Sequence, residues 1–168
     1  MIYIPLTQGK IAVIDDVDLH RVIKHKWSLA VRKDATSVGE SVRFYVRTKS
    51  IEGSPYLHQF IINSKPGMKV DHKNHDGLDN RRDNLRECST SQNGANQRKT
   101  RGSSIYKGVS WHKQLSKWDC RIKSDGVSVY IGVFYSEEDA ARAYDRKARE
   151  LFGCFALTNF KEDGDVAG

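Results

Sequence analysis

Between residues 69 and 97 the sequence is dense in His, Asp and Asn and poor in apolar residues, with Val70 and Leu85 as its main hydrophobic anchors. Such material does not make a core. It makes a loop-rich site or a disordered stretch. Within it run Val70-Asp71-His72, then Asn80, then Asn84-Leu85-Arg86, then Asn93 and Asn96. Hydrolysis of a phosphodiester needs a base for water, a Lewis acid on the phosphate, and groups that hold both in place. His72 suits the first, because an imidazole titrates near neutral pH. Asp71 with a second oxygen donor suits the second, since hard divalent ions take carboxylate and amide oxygens. The asparagines suit the third, because a side-chain amide both donates and accepts and so ties the backbone groups of a loop together.

Asn84-Leu85-Arg86 begins twelve residues after His72, and Asn93 follows nine further on. With Val70-Asp71-His72, this pattern resembles the HNH nuclease motif, in the variant of phage and intron-encoded homing endonucleases. The resemblance implies a ββα-metal unit, in which two short strands, a loop and a helix clasp one ion. It makes His72 the general base and Asp71 a metal ligand. It makes Asn84 the central Asn that braces the loop, and Asn93 the second ligand, on the helix. Asn80 falls where such sequences often carry a further Asn. Many HNH enzymes have His at the last position, and some have it before the base. Asp71 and Asn93 depart from that pattern, which disfavours zinc and favours Mg²⁺ or Mn²⁺, one ion per site. Asn96 and Gln97 lie near enough in sequence to approach the ion or the backbone and receive no role. His75 reads as a surface-loop residue, and His20 and His25 as solvent-facing. His58 matches a His often found upstream in these nucleases and reads as making a structural hydrogen bond rather than as catalytic.

The elements that must position this cluster are short. Ile2-Tyr3-Ile4 and Ile11-Ala12-Val13-Ile14 read as strands around the turn at Gln8-Gly9-Lys10. Asp15-Asp16-Val17-Asp18 offers caps for a helix through Leu19, Val22, Ile23 and Trp27. Residues 43–47 form a strand candidate and residues 56–62 a buried helix, closed by Pro66-Gly67. The expected divisions are an N-terminal α/β extension (1–68), a nuclease core (69–97), a basic linker (98–104), a C-terminal module (105–160) and a tail (161–168). The extension either adds to a binding surface or completes a core that so small a nuclease unit cannot build alone.

Charge is concentrated beyond the cluster. Residues 97–123 hold eight Lys or Arg against the single acid Asp119, and so carry the whole net charge of +7; the remainder has twenty of each sign. A basic block with aromatic residues between its charges points to a polyanion. Three strand-like runs follow, 106–111, 117–123 and 128–135, with a hairpin turn at Asp125-Gly126. A helix capped by Ser136 then runs to Gly153, with Ala140, Ala143, Tyr144, Lys147 and Leu151 on one side.

Tyr106-Lys107-Gly108-Val109, Trp118, Ile122, Ile131-Gly132-Val133-Phe134, the run from Glu138 to Asp145, and Asn159-Phe160 resemble the AP2/ERF DNA-binding domain. That family's three-stranded antiparallel sheet packs on one helix and lies in the major groove. Alternate strand residues share a face, and a twisted ribbon fits the groove. The implied contacts are Lys107, Ser110, His112, Lys113, Arg121, Lys123 and Tyr130, the lysines on phosphates and Arg121 on a guanine edge. Ser110, His112 and Tyr130 stand where plant members carry Arg or Trp, and one extra residue precedes Trp118, so plant base preferences do not transfer. Trp118 and Phe134 read as core.

The fold expected is therefore α+β: a ββα-metal unit with an N-terminal extension, then an AP2-like sheet on one helix. Cys88, Cys120 and Cys154 are odd in number and widely spaced, which supports neither a disulfide framework nor a zinc ribbon. No run approaches a membrane span and the N-terminus has no signal-peptide pattern, so a cytoplasmic location is expected, in a bacterial host if the gene is a phage's. The leading reading is a metal-dependent endonuclease acting on double-stranded DNA as monomer or dimer, with neither a membrane nor a small-molecule substrate. A non-catalytic DNA-binding regulator is the alternative. An RNA-binding protein has only the basic block in its favour.

Overall fold

The computed structural model describes residues 1–36, 39–97 and 102–161, and divides into two compact units, Met1–Ser89 and Thr90–Gly168. Arg98, Lys99 and Arg101 of the expected linker lie outside the described residues. Among the described residues no helix is long and apolar enough to cross a membrane.

The first unit opens with β1 (Ile2–Pro5) antiparallel to β2 (Ile11–Ile14), joined by a 3₁₀ turn at Thr7–Gly9. Helix α1 (Leu19–Val22) is a single turn. The expected helix through Trp27 stops there, because Trp27 begins β3 (Trp27–Thr36), which pairs with β4 (Gly39–Thr48) over their whole length. Trp27 closes the corner by donating from its indole to the Val22 carbonyl at 2.8 Å. The strand expected over 43–47 is thus the end of a longer ribbon. Helix α2 (Leu57–Ile62) follows and ends at Asn63 in the left-handed region, φ 51°. Strands β5 (Lys69–His72) and β6 (Leu85–Cys88) then pair antiparallel, with His72 opposite Leu85.

One core serves all of these elements. Ala12, Ile14, Val22, Val46, Leu57, Ile61, Val70 and Leu85 are buried together. The β5–β6 pair contributes only Val70 and Leu85 to that cluster, too little apolar surface to fold unaided. Residues before 68 and the stretch from 69 to 89 accordingly share one unit, and the first supply most of the second's interior.

The second unit begins with α3 (Thr90–Ala95), which carries Asn93. Strands β7 (Val109–His112), β8 (Lys117–Ser124) and β9 (Val127–Phe134) form an antiparallel sheet in that order. The turn at Asp125-Gly126 takes φ 49° and 85°, as the expected two-residue hairpin requires. Helix α4 (Glu137–Phe152) is capped by Ser136, whose hydroxyl accepts from the Asp139 N–H at 3.3 Å. Its buried stripe is Ala140, Ala141, Tyr144, Ala148 and Phe152, packed with Val109, Cys120 and Ile122 of the sheet. The face expected from sequence is rotated by part of a turn, so Lys147 and Leu151 stay outside the core. A run of alanines has no single apolar stripe, and the large side chains Tyr144 and Phe152 decide which face is buried. Trp118 and Phe134 pack against this core.

Candidate functional site

His72 ends β5, and its ring nitrogen Nε2 lies 3.4 Å from Oδ1 of Asn80. The orientation of that amide is fixed by its other end. Nδ2 of Asn80 donates to the carbonyls of Gly77 and Leu78, at 3.3 and 3.1 Å, so the oxygen must face the histidine. An amide oxygen only accepts. This arrangement favours the tautomer with the proton on Nε2, in which Nδ1 is the basic atom.

Asn80 is itself placed by the N-terminal hairpin. Its N–H donates to the Val13 carbonyl at 2.8 Å, and the Val13 N–H donates to the Leu78 carbonyl at 2.9 Å, so β2 holds the loop by its backbone. Arg82 completes the attachment. Its N–H reaches Asp15 Oδ2 at 2.8 Å, and its guanidinium holds the buried Asp18 through both oxygens, at 2.8 and 2.7 Å.

Asn84 stitches the same loop from the opposite side. Its oxygen accepts from the Asn74 N–H at 3.1 Å, and its nitrogen donates to Asn74 Oδ1 and the Asp79 carbonyl at 2.9 and 2.8 Å. Asp79 is held by a two-point ion pair with Arg81, whose guanidinium keeps the carboxyl below its ordinary range. Gly77 is required by packing: a Cβ there would sit 2.2 Å from the Phe44 carbonyl oxygen. His75 is exposed, with φ 64°, and is used as a turn residue.

The His72 ring is walled by aromatics. Its centroid is 4.8 Å from that of His58, edge to face, and 6.2 Å from Tyr45; Tyr56 stacks on His58 at 5.5 Å. Burial drives the His58 pKa down to about 3, and the neighbouring His72 adds to the effect. Nδ1 of His58 is buried without a hydrogen-bond partner, so sequence reasoning that gave it a structural hydrogen bond is corrected to ring packing. Burial lowers the pKa of His72 as well, against the opposing pull of Asn80, Asp71, Asp76 and Asp79. A neutral imidazole is the form a base needs.

Asp71 precedes His72 on β5 and forms an ion pair with Arg86 across the sheet, with Oδ2 accepting from Nε and Nη2 at 3.1 and 3.0 Å. Among the described residues no three His, Cys, Asp or Glu side chains converge on one point. Among the described residues, then, those side chains form no cage of the kind zinc takes. One carboxylate and amide oxygens do suit Mg²⁺ or Mn²⁺, which bind through few protein donors and fill their shell with water and phosphate. Asn93, the expected second donor, is half-buried on α3 of the second unit.

In the second unit the face of the sheet away from α4 carries Ser110 on β7, Arg121 and Lys123 on β8 and Tyr130 on β9, all exposed. Lys113 is exposed in the β7–β8 turn, and the half-buried His112 accepts from the Leu115 N–H at 3.4 Å. Lys107 is used differently from its expected place on phosphate. Its ammonium donates to the carbonyls of Gly94 and Ala95, and burial lowers its pKa to about 8.

Comparison with known proteins assigns likenesses to two stretches of the chain, the first of which crosses the Ser89/Thr90 boundary. Residues 63–95 match the family described as HNH endonuclease. The C-terminal stretch is 44% identical over 64 residues to the AP2-like ethylene-responsive transcription factor AIL7 of Arabidopsis thaliana, covering 37% of this chain and 13% of that protein. It is 43% identical over 63 residues to the factor CRL5 of Oryza sativa subsp. japonica, covering 36% of this chain and 10% of that protein. The chain thus spans well under two thirds of the length of these relatives. The chain thus carries a segment similar to HNH endonucleases and a C-terminal stretch similar to AP2-like factors.

Proposed function

We propose that this protein is a site-specific DNA endonuclease that hydrolyses phosphodiester bonds with the His72 centre and finds its target with the C-terminal sheet. The observation that carries the reading is the contact of Asn80 Oδ1 with Nε2 of His72, with the other end of the same amide on the Gly77 and Leu78 carbonyls, in a segment matching HNH endonucleases. Nδ1 of His72 takes a proton from water as the oxygen attacks phosphorus. The bond from phosphorus to the 3′ oxygen breaks and that oxygen takes a proton from solvent water, leaving 5′-phosphate and 3′-hydroxyl ends. Asn80 accepts from the ring's Nε2–H throughout, and Asn84 keeps the loop from opening. Asp71 and Asn93 are the proposed donors to one Mg²⁺ or Mn²⁺ ion, which supplies Lewis-acid stabilisation of charge on the phosphate. Their pairing rests on the motif spacing.

Ser110, Lys113, Arg121, Lys123 and Tyr130 are the proposed DNA contacts, on the sheet face that α4 leaves open, with His112 at its edge. A homing role in a mobile element belongs to the same proposal. The likeness to transcription factors favours a second reading, a DNA-binding regulator with an inert nuclease segment. Supercoiled plasmid carrying a selected target, incubated with Mg²⁺ or Mn²⁺, separates the two. The endonuclease reading expects nicked or linear product from the wild type and none from His72→Ala, while both proteins bind the target equally in EDTA. Binding without cleavage by the wild type would leave only the regulator.

A further inference from the structure

Within the open face of the C-terminal sheet, one acid stands among the bases. Asp119 lies two residues before Arg121 on β8 and is buried, 7% exposed, although Arg121 and Lys123 further along the same face are exposed. Its Oδ2 accepts from Nε of Arg121 at 2.8 Å. The guanidinium carbon of Arg121 sits 5.4 Å from the centre of the Tyr130 ring, and Tyr130 is the cross-strand partner of Arg121 on β9. The strands make this possible through a register shift at Cys120/Arg121, which brings Tyr130 opposite Arg121 and returns Gly132 opposite Cys120.

A guanidinium has five N–H donors on three nitrogens. With Nε held by Asp119, the edge formed by Nη1 and Nη2 remains, and the Arg121 side chain is 56% exposed. Two parallel donors at the end of a held side chain match O6 and N7 of guanine in the major groove, the pairing a single ammonium cannot make. An acid on a DNA-facing surface costs phosphate attraction. Burial of Asp119 hides most of its surface, while its hydrogen bond holds the arginine's plane.

We propose that Asp119 is the specificity-determining positioning residue of this sheet: with Tyr130 as a shelf, it presents Arg121 as a two-point reader of one guanine in duplex DNA. The inference rests on the reading of the C-terminal unit as the target-recognition module. A reader held in this way selects its base before contact, so losing the buttress relaxes one position of the site and leaves the others alone.

The test is selection from a random-sequence duplex library by the full-length protein in EDTA, followed by affinity measurement on single-base variants of the selected site. The wild type is expected to prefer guanine at one position by roughly 10- to 100-fold. Asp119→Asn, which keeps shape and loses charge, is expected to reduce that preference to within about 3-fold with the preferences elsewhere unchanged. Arg121→Lys is expected to remove the same preference. Thermal melting of both variants near the wild-type temperature establishes that the sheet is intact, and Tyr130→Leu supplies a second route to the same loosening. Undiminished guanine preference in Asp119→Asn, or equal weakening at every position, overturns the proposal. So does a selected site with no guanine dependence on Arg121. Absence of any DNA binding by the wild type would overturn the recognition-module reading itself.

Discussion

Oδ1 of Asn80 faces Nε2 of His72 at 3.4 Å, while Nδ2 of the same amide holds the carbonyls of Gly77 and Leu78. Both ends of the side chain are therefore engaged, one on the ring and one on the loop. Asn80→Ala releases the ring and leaves two carbonyls to find other donors. Cleavage is expected to fall by roughly 10- to 100-fold, the usual effect of losing the partner that orients a functional histidine. Affinity for the target in EDTA should be unchanged. Full activity in the variant would show that the tautomer is set by something else.

The buried histidines make stability depend on pH. His58 takes a proton in the folded protein only near pH 3, whereas an unfolded chain takes it near the ordinary imidazole value. Between those values the unfolded state binds more protons, so stability rises with pH, by up to about 1.4 kcal/mol per pH unit for one group. The contribution is complete above the unfolded value and is lost as the solution is acidified toward the folded one. His72, shifted in the same direction, adds with the same sign. Urea unfolding between about pH 4.5 and 6.5 should show this slope. His58→Phe, which keeps the ring packing against Tyr56 and Tyr45, should reduce it by up to one proton's worth. Equal slopes in the two proteins would contradict the burial argument.

The spacing that resembles the HNH motif and the strand-strand-strand-helix order were legible because both are local. Asp71, His72 and Asn84 lie within one run of sequence, and a period of two with a turn at Asp125-Gly126 needs no tertiary information. What was not legible depended on distant chain. Asn80 was noticed only as a recurrent asparagine; its role follows from β2 pairing with the loop through Val13, some sixty-seven residues earlier. Strand β3 was missed because its sequence, Trp27-Ser28-Leu29-Ala30-Val31-Arg32, alternates weakly and follows a helical start. Lys107 was placed on the binding face by the resemblance to the AP2/ERF sheet, but carbonyls at the end of α3 claim its ammonium. Periodicity reports which face is apolar and says nothing about which cation a neighbouring carbonyl will take.

Arg82 tests whether the N-terminal segment does more than cover the core. Its guanidinium holds Asp18, whose side chain is 1% exposed, and Arg21 stands 3.7 Å from the same carboxylate. Arg82→Ala leaves a buried acid with a more distant cation. The loss should be about 2 kcal/mol, below the ~3–5 kcal/mol of a fully buried pair because Arg82 is itself partly exposed and Arg21 remains. Urea unfolding measures it. Adding Asp18→Asn to Arg82→Ala should recover part of the loss, since the stranded charge is then gone. If the double variant is less stable than Arg82→Ala, the pair is not acting through that charge.

Gly108 and Gly126 separate packing from backbone strain in the second unit. Both have positive φ, 77° and 85°. A Cβ on Gly108 would lie 1.9 Å from Cδ2 of Tyr144 and 2.8 Å from the Arg121 carbonyl, whereas one on Gly126 meets nothing within 4 Å. Gly126→Ala therefore pays only for a left-handed alanine, about 1 kcal/mol. Gly108→Ala pays that and must also push Tyr144 from the centre of the α4 stripe, for a combined loss of about 2–4 kcal/mol. Thermal unfolding of the full chain should show the larger loss for Gly108→Ala, accompanied by weaker DNA binding because β7 and β8 no longer close on the helix. Equal losses from the two substitutions would mean that Tyr144 yields easily, and that the close approach of Gly108 to α4 does not hold the sheet.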